Sequence, residues 1–179
     1  MRKINAKLTA AILALFLLHG ILGAFQLLGA GNVISRVISY TLLTLVAAHA
    51  LIGIKLTMDT LKVQKSTGAG YFRHNLLFWA RRISGFLIML LIAFHVTAFT
   101  DRSSDAIRLV KFDQAKLITQ ILLVASVALH VITNVKPMLI TFGIKGLKAW
   151  AADLLFILSV ILLFMAAAFI VYYLRWNRM

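Results

Sequence analysis

Cysteine and glutamate are both absent from this 179-residue chain, and proline occurs only once. The absence of cysteine excludes disulfides, thiolate ligands to a metal and protein-bound iron–sulfur clusters. Any iron bound by this chain must therefore rest on nitrogen. The acidic residues are five aspartates, so carboxylate chemistry is restricted to a small set: Asp59, Asp101, Asp105, Asp113 and Asp153.

Apolar residues dominate what is present, with 62% hydrophobic residues and a mean hydropathy of +0.96. A helix needs roughly 20 apolar residues to cross a hydrocarbon core of about 30 Å. Five such segments are predicted at about 8–28, 33–54, 76–99, 115–135 and 150–174. We expect an all-α integral membrane protein with one transmembrane domain, 1–179. The basic start followed by an apolar run also resembles a signal peptide, but the run continues to about Leu28, which favours a retained first helix.

The net charge of +14 reflects topology rather than nucleic-acid binding, because the basic residues crowd the ends of the apolar segments. The positive-inside rule then predicts a cytoplasmic N-terminus and an external C-terminus in a bacterial or archaeal cytoplasmic membrane. Twelve of the 19 basic residues lie on the predicted cytoplasmic side: Arg2, Lys3, Lys7, Lys55, Lys62, Lys65, Arg73, Arg81, Arg82, Lys136, Lys145 and Lys148.

One histidine lies in each of the first four predicted spans, at His19, His49, His95 and His130. Ionisable residues inside a membrane are costly, so one in each of four successive helices indicates a shared role. Measured from the nearest basic residue, His19 and His95 lie about 18–20 Å from the cytoplasmic edge, and the other two about 9 Å. We therefore predict an outer pair, His19 with His95, and an inner pair, His49 with His130, in layers about 10 Å apart.

Diagonal helices of an up-down bundle can present side chains across a shared core. If helices 1–4 form an up-down four-helix bundle, each pair can ligate the iron of one haem, and two haem sites are predicted. Gly23 and Gly53 each follow a histidine by four residues and would leave room for a macrocycle. Ser126 and Asn134 flank His130 at the same spacing as further small neighbours, and they could also hydrogen-bond its ring.

Several short motifs have the spacing of a known family. They are His49-Ala-x-x-Gly53, Tyr71-Phe-Arg, Arg82-Ile-Ser84-Gly85 with His95 ten residues after the glycine, and Thr141-Phe-Gly-Ile144. Together they resemble the single-subunit, five-helix dihaem cytochrome b anchor of succinate dehydrogenase and fumarate reductase. The resemblance covers most of the chain from helix 1 to the fourth connection.

This resemblance implies haem b with bis-histidine ligation, pairing helix 1 with 3 and helix 2 with 4. It also implies an iron–sulfur subunit and a flavoprotein with FAD on the cytoplasmic side, and it allows a dimer of the whole complex. The chain would exchange electrons with a membrane quinone, expected to be menaquinone. It would have no catalytic residue for the dicarboxylate, since that chemistry belongs to the flavoprotein.

Cations for the haem propionates are expected at Arg81, Arg82 and Lys136. Arg82 is favoured because it belongs to the motif, whereas Arg81 and Lys136 are equally well explained as positive-inside anchors. Ser84 is expected to bond a propionate or quinone, with helix–helix packing as an equal explanation. Pro137 is predicted to end helix 4.

The quinone site is expected near the outer haem. Gln26 follows His19 by seven residues on the same helical face and could donate to a quinone carbonyl. Asp101, at the end of helix 3, could accept a quinol proton, although a solvated loop explains it as well.

Two other functions remain open. Another bis-histidine membrane cytochrome b would need the same four histidines, and the spacing from Arg82 to His95 favours the dehydrogenase anchor over it. A small histidine-lined transporter would need polar residues along the same faces, and the spans are uniformly apolar.

Overall fold

The computed structural model describes residues 2–31, 36–67, 75–99 and 111–177. These residues form five helices, and the described part of the chain contains no strand. All five are long and apolar enough to cross a membrane, so the predicted all-α class and the five spans are confirmed. Their bounds are α1 Arg2–Leu28, α2 Arg36–Thr67, α3 Leu76–Phe99, α4 Gln114–Thr141 and α5 Leu147–Asn177.

Several helices are longer than the sequence prediction. The largest difference is in α2, which was predicted to end at 54 and continues to Thr67. Its 32 residues correspond to about 48 Å, well beyond the hydrocarbon thickness of about 30 Å. Hydropathy detects only the part of a helix that matches lipid, and the lysine-containing part of α2 continues as helix outside that window. The predicted start at 33 lies outside the described residues.

The prediction that Pro137 ends helix 4 is wrong, because α4 continues through it to Thr141. A proline has no N–H, so the carbonyl four residues earlier loses its helical donor. That carbonyl belongs to Thr133, and it accepts a hydrogen bond of 2.8 Å from Arg81 Nε of α3. A side chain from a neighbouring helix thus replaces the missing backbone donor, which is how proline is tolerated in membrane helices. The helix ends before Gly143, at φ +71°.

The helices contact one another in a defined set of neighbours. α1 packs against α2 and α5 and touches α4, and α4 packs against α3 and α5. α5 therefore lies against both α1 and α4 and contributes to both buried clusters. One cluster comprises Ala24, Leu27, Phe112, Ala168, Phe169 and Tyr172, and the other Val135, Leu139 and Leu158.

Candidate cofactor site: two histidine pairs

Four histidines from four helices meet as two pairs. The ring centroids of His19 and His95 are 6.1 Å apart, with an interplanar angle of 69°. Those of His49 and His130 are 6.3 Å apart, with an angle of 89°. The structure thus brings together α1 with α3 and α2 with α4, the same combinations that the depth argument predicts.

The separation within each pair suits a metal ion between the rings. Two imidazoles on opposite sides of one metal would have centroids about 6.2 Å apart, since each metal–nitrogen bond is about 2.0 Å and the nitrogen lies about 1.1 Å from its ring centre. Among the described residues, no group of three or more His, Cys, Asp or Glu side chains gathers around a possible metal position. Each pair offers two nitrogen ligands, which fits a metal that brings its own equatorial ligands.

Every one of the four rings is held at Nδ1 by a side chain of the neighbouring helix. α1 and α2 each provide the partner for the other helix's histidine. Ser39 Oγ of α2 lies 3.4 Å from His19 Nδ1, and Thr9 Oγ1 of α1 lies 3.4 Å from His49 Nδ1. The same arrangement recurs in α3 and α4. There, Gln120 Oε1 lies 2.7 Å from His95 Nδ1, and Ser84 Oγ lies 3.2 Å from His130 Nδ1.

These bonds define the proton position on two of the rings. A hydroxyl has one hydrogen to donate, and that of Thr9 goes to Asn5 O at 2.8 Å. The Thr9 oxygen can then only accept from His49. A side-chain amide oxygen also only accepts, so His49 and His95 carry hydrogen on Nδ1. The lone pair on Nε2 is thereby left for a metal.

The bonding partners reveal a repeated spacing that connects the two layers. In each helix the polar partner precedes the histidine by ten residues, or by eleven in α3. Each partner bonds a histidine of the other layer, so one helix passes from one layer to the other in ten or eleven residues. At 1.5 Å per residue, the layers are about 15 Å apart along the helices. The predicted 10 Å is too short, because it assumed that the basic residues nearest to the four histidines lie in one plane. α2 carries its lysines along a helix that continues to Thr67.

The inner pair has the residues of the Arg82-Ile-Ser84-Gly85 motif beside it. Ser84 is only 1% exposed and bonds the His130 ring rather than serving only as a packing residue. A Cβ on Gly85 would lie 3.3 Å from Cε1 of the same ring, so the missing side chain lets the ring approach α3. The Arg82 guanidinium lies 4.9 Å from the Phe78 ring centroid and is close enough to act electrostatically on both inner histidines.

The other two predicted inner cations are placed differently from Arg82. Arg81 Nε donates a hydrogen bond to the Thr133 carbonyl of α4, one turn before Pro137. This structural role is not predicted by the sequence. Lys136 is exposed on α4, six residues after His130. Gly53 faces open space, since a Cβ there would meet no protein atom within 4 Å. Gly23 lies one turn after His19 and is partly buried.

The outer pair is enclosed by an amide and by aromatic rings. Gln120 is 0% exposed, and the Phe99 ring lies 5.2 Å from the His95 ring. The Phe99 ring also stacks on the Phe112 ring, with centroids 5.8 Å apart. Phe112 belongs to the first buried cluster. Gln26, predicted at the quinone site, is 4% exposed. In the sequence it falls between Ala24 and Leu27, which both belong to that cluster. Asp101, the other predicted quinone residue, lies outside the described residues.

Two expectations for the His130 ring are wrong. Ser126 Oγ donates to Leu122 O at 2.7 Å, and Asn134 Nδ2 donates to the backbone oxygen of His130 at 2.7 Å. Both satisfy α4 itself, because a polar side chain on a helix reaches its own preceding turn easily. Three ring partners are not predicted from the sequence patterns: Thr9, Ser39 and Gln120. Gly85 appears there only as part of a motif. Their ten- or eleven-residue offset from each histidine is the signal that could have found them.

Comparisons with known proteins add no family to this geometry. No family model, no curated protein and no solved structure matches the chain. The structure itself shows five helices that are long and apolar enough to cross a membrane, with four histidines that meet as two pairs.

Proposed function

We propose that this chain is the dihaem cytochrome b membrane anchor of a succinate dehydrogenase or fumarate reductase complex. It carries electrons between a membrane quinone, expected to be menaquinone, and an iron–sulfur subunit. The observation that carries this proposal is the close approach of two histidine rings from different helices, which occurs twice, with ring centroids 6.1 and 6.3 Å apart. In the finer architecture, helices 1–4 form an up-down bundle around two haem b groups.

The residues present fit a haem at both positions. Each haem would supply a one-electron couple, and its iron would be held by one histidine pair, His19 with His95 or His49 with His130. The chain's own contribution is to orient the rings: a bond at Nδ1 holds each ring, and the bonds to His49 and His95 keep Nε2 of those two rings unprotonated. Arg82 provides the cation expected for the propionates of the inner haem, and its proximity to His49 and His130 supports that assignment.

The dehydrogenase anchor is favoured over another membrane cytochrome by where its motif residues lie. Ser84 and Gly85 of the Arg82-Ile-Ser84-Gly85 run both contact the His130 ring, so the motif acts at a ligand. The extended end of α2 carries Lys55, Lys62 and Lys65 beyond the predicted lipid. That end suits docking of soluble subunits on the cytoplasmic side, an iron–sulfur subunit and a flavoprotein with FAD.

The quinone is proposed at the outer end. Gln26 is buried there beside the aromatic cluster, and its amide is a suitable donor to a quinone carbonyl. Asp101 is retained as the acceptor of the quinol proton. With no glutamate in the chain, proton transfer depends on this aspartate, on water or on propionates.

The first test is haem content and spectrum of the purified full chain in lipid nanodiscs. Two protohaems per polypeptide by pyridine haemochrome, with low-spin b-type bands in the dithionite-reduced minus oxidised spectrum, are expected. His74→Ala serves as the matched control, since His74 belongs to none of the four spans and its removal should leave both haems. Folded protein without haem would overturn the proposal and return attention to the transporter alternative.

A second test separates the anchor from other cytochromes. A menaquinol analogue should reduce the haems in proteoliposomes, and the chain expressed with its soluble subunits should purify with covalent FAD and iron–sulfur clusters. Reduction by ascorbate alone, with no reduction by quinol, would favour a stand-alone cytochrome.

A further inference from the structure

The four bonds that hold the histidine rings are not equivalent. Three partners are hydroxyl groups at 3.2–3.4 Å, while His95 alone meets an amide oxygen, at 2.7 Å. The shorter distance and the carbonyl-type acceptor make the His95–Gln120 bond the strongest of the set. One ligand of the outer pair is therefore distinguished from the other three by the chain itself.

The Gln120 amide is oriented for this purpose. Its side chain is 0% exposed, and its nitrogen donates to Thr119 Oγ1 at 3.3 Å, which leaves the oxygen to face His95. Since an amide oxygen cannot donate, His95 must carry its hydrogen on Nδ1. In a buried, apolar surrounding a hydrogen bond is electrostatically stronger than in water.

We propose that Gln120 is a positioning residue that lowers the reduction potential of the outer haem site. This inference rests on the proposed function. A strong acceptor at Nδ1 increases the basicity of the ligating nitrogen. A more basic ligand stabilises the more positive, oxidised iron, so the potential falls. The Thr9 hydroxyl, which accepts from His49, exerts the same effect more weakly.

The test is redox potentiometry of variants in a His49→Ala background, where the proposed function leaves the outer haem alone. Gln120→Leu removes the acceptor and should shift the midpoint potential to a more positive value. Gln120→Glu supplies a stronger, charged acceptor and should shift it to a more negative value. Ser126→Ala is the matched control: Ser126 is another buried polar residue on α4, 5% exposed, bonded to its own helix. It should leave the potential unchanged.

Opposite shifts in the leucine and glutamate variants support the proposal. An unchanged potential in a haem-loaded Gln120→Leu variant overturns it, and so does loss of haem from both variants, which would make Gln120 merely structural. If the leucine variant alone loses haem, the sign of the shift in the glutamate variant decides. Absence of haem from the unmodified chain would instead refute the proposed function, so the two failures are distinguishable.

Discussion

The inner and outer histidine pairs have nearly the same separation, 6.3 and 6.1 Å, but they are supported in different ways. The inner rings are held by two hydroxyl groups and lie near the charge of Arg82. The outer pair has one amide partner and is bordered by aromatic rings. Both sites have a pair of histidines, and the residues around each pair distinguish the two sites.

This difference follows the layout of the helices. The inner site lies at the predicted cytoplasmic ends, where α3 carries two arginines in its second turn and Arg81 donates to the Thr133 carbonyl of α4, one turn before Pro137. The outer site lies where α3 ends and α4 begins, next to the cluster formed with α5. The inner site is supported by the charge of Arg82 and by the hydrogen bond from Arg81 that replaces a missing backbone donor. The outer site is supported by close apolar packing. Substitutions at each set of supports should therefore affect one site and spare the other.

The largest effect is expected from Gly85→Val, which places a branched side chain against the His130 ring. Because a Cβ alone would lie 3.3 Å from Cε1, a branched side chain must displace the ring. The inner haem should be lost and the outer one retained, as measured by haem per polypeptide. Ala93→Val, at an exposed position of the same helix, is the control for β-branching and should retain both. Two haems in Gly85→Val would contradict the proposed inner site.

A smaller effect is expected from Arg81→Leu. This change leaves the Thr133 carbonyl without its donor, which costs about 1–3 kcal/mol for a buried acceptor. Thermal unfolding in nanodiscs should occur at lower temperature. Pro137→Ala restores a backbone N–H for that carbonyl, so Arg81→Leu should cost markedly less in the Pro137→Ala background. Equal losses in both backgrounds would show that Arg81 and Pro137 are not coupled.

The smallest effects are expected from the hydroxyl partners. Thr9→Val and Ser84→Ala each remove one weak bond to an inner ring, worth about 0.5–1.5 kcal/mol. Both haems should remain, and only the inner midpoint potential should change, with a slight rise in Thr9→Val because the lost hydroxyl accepts from His49. A shift of the outer potential instead would mean that the partners are assigned to the wrong layer.

The sequence predicts much of this arrangement and misses particular parts for physical reasons. Hydropathy finds all five spans, and depth counting leads to the combinations of His19 with His95 and His49 with His130. Hydropathy cannot indicate the rotation of a helix that is apolar on all sides, so the bonds from Thr9, Ser39 and Gln120 were not foreseen. Pro137 was misread because the donor that compensates for it comes from another helix.

The most direct measurement of the central claim is haem content in double variants of the four histidines. Each single alanine variant should retain one haem. His19→Ala with His95→Ala, and His49→Ala with His130→Ala, should also retain one, because each combination removes both ligands of a single site. His19→Ala with His49→Ala should retain none. If the within-pair doubles lost both haems while the cross-pair double retained one, the assignment of the two pairs would be contradicted.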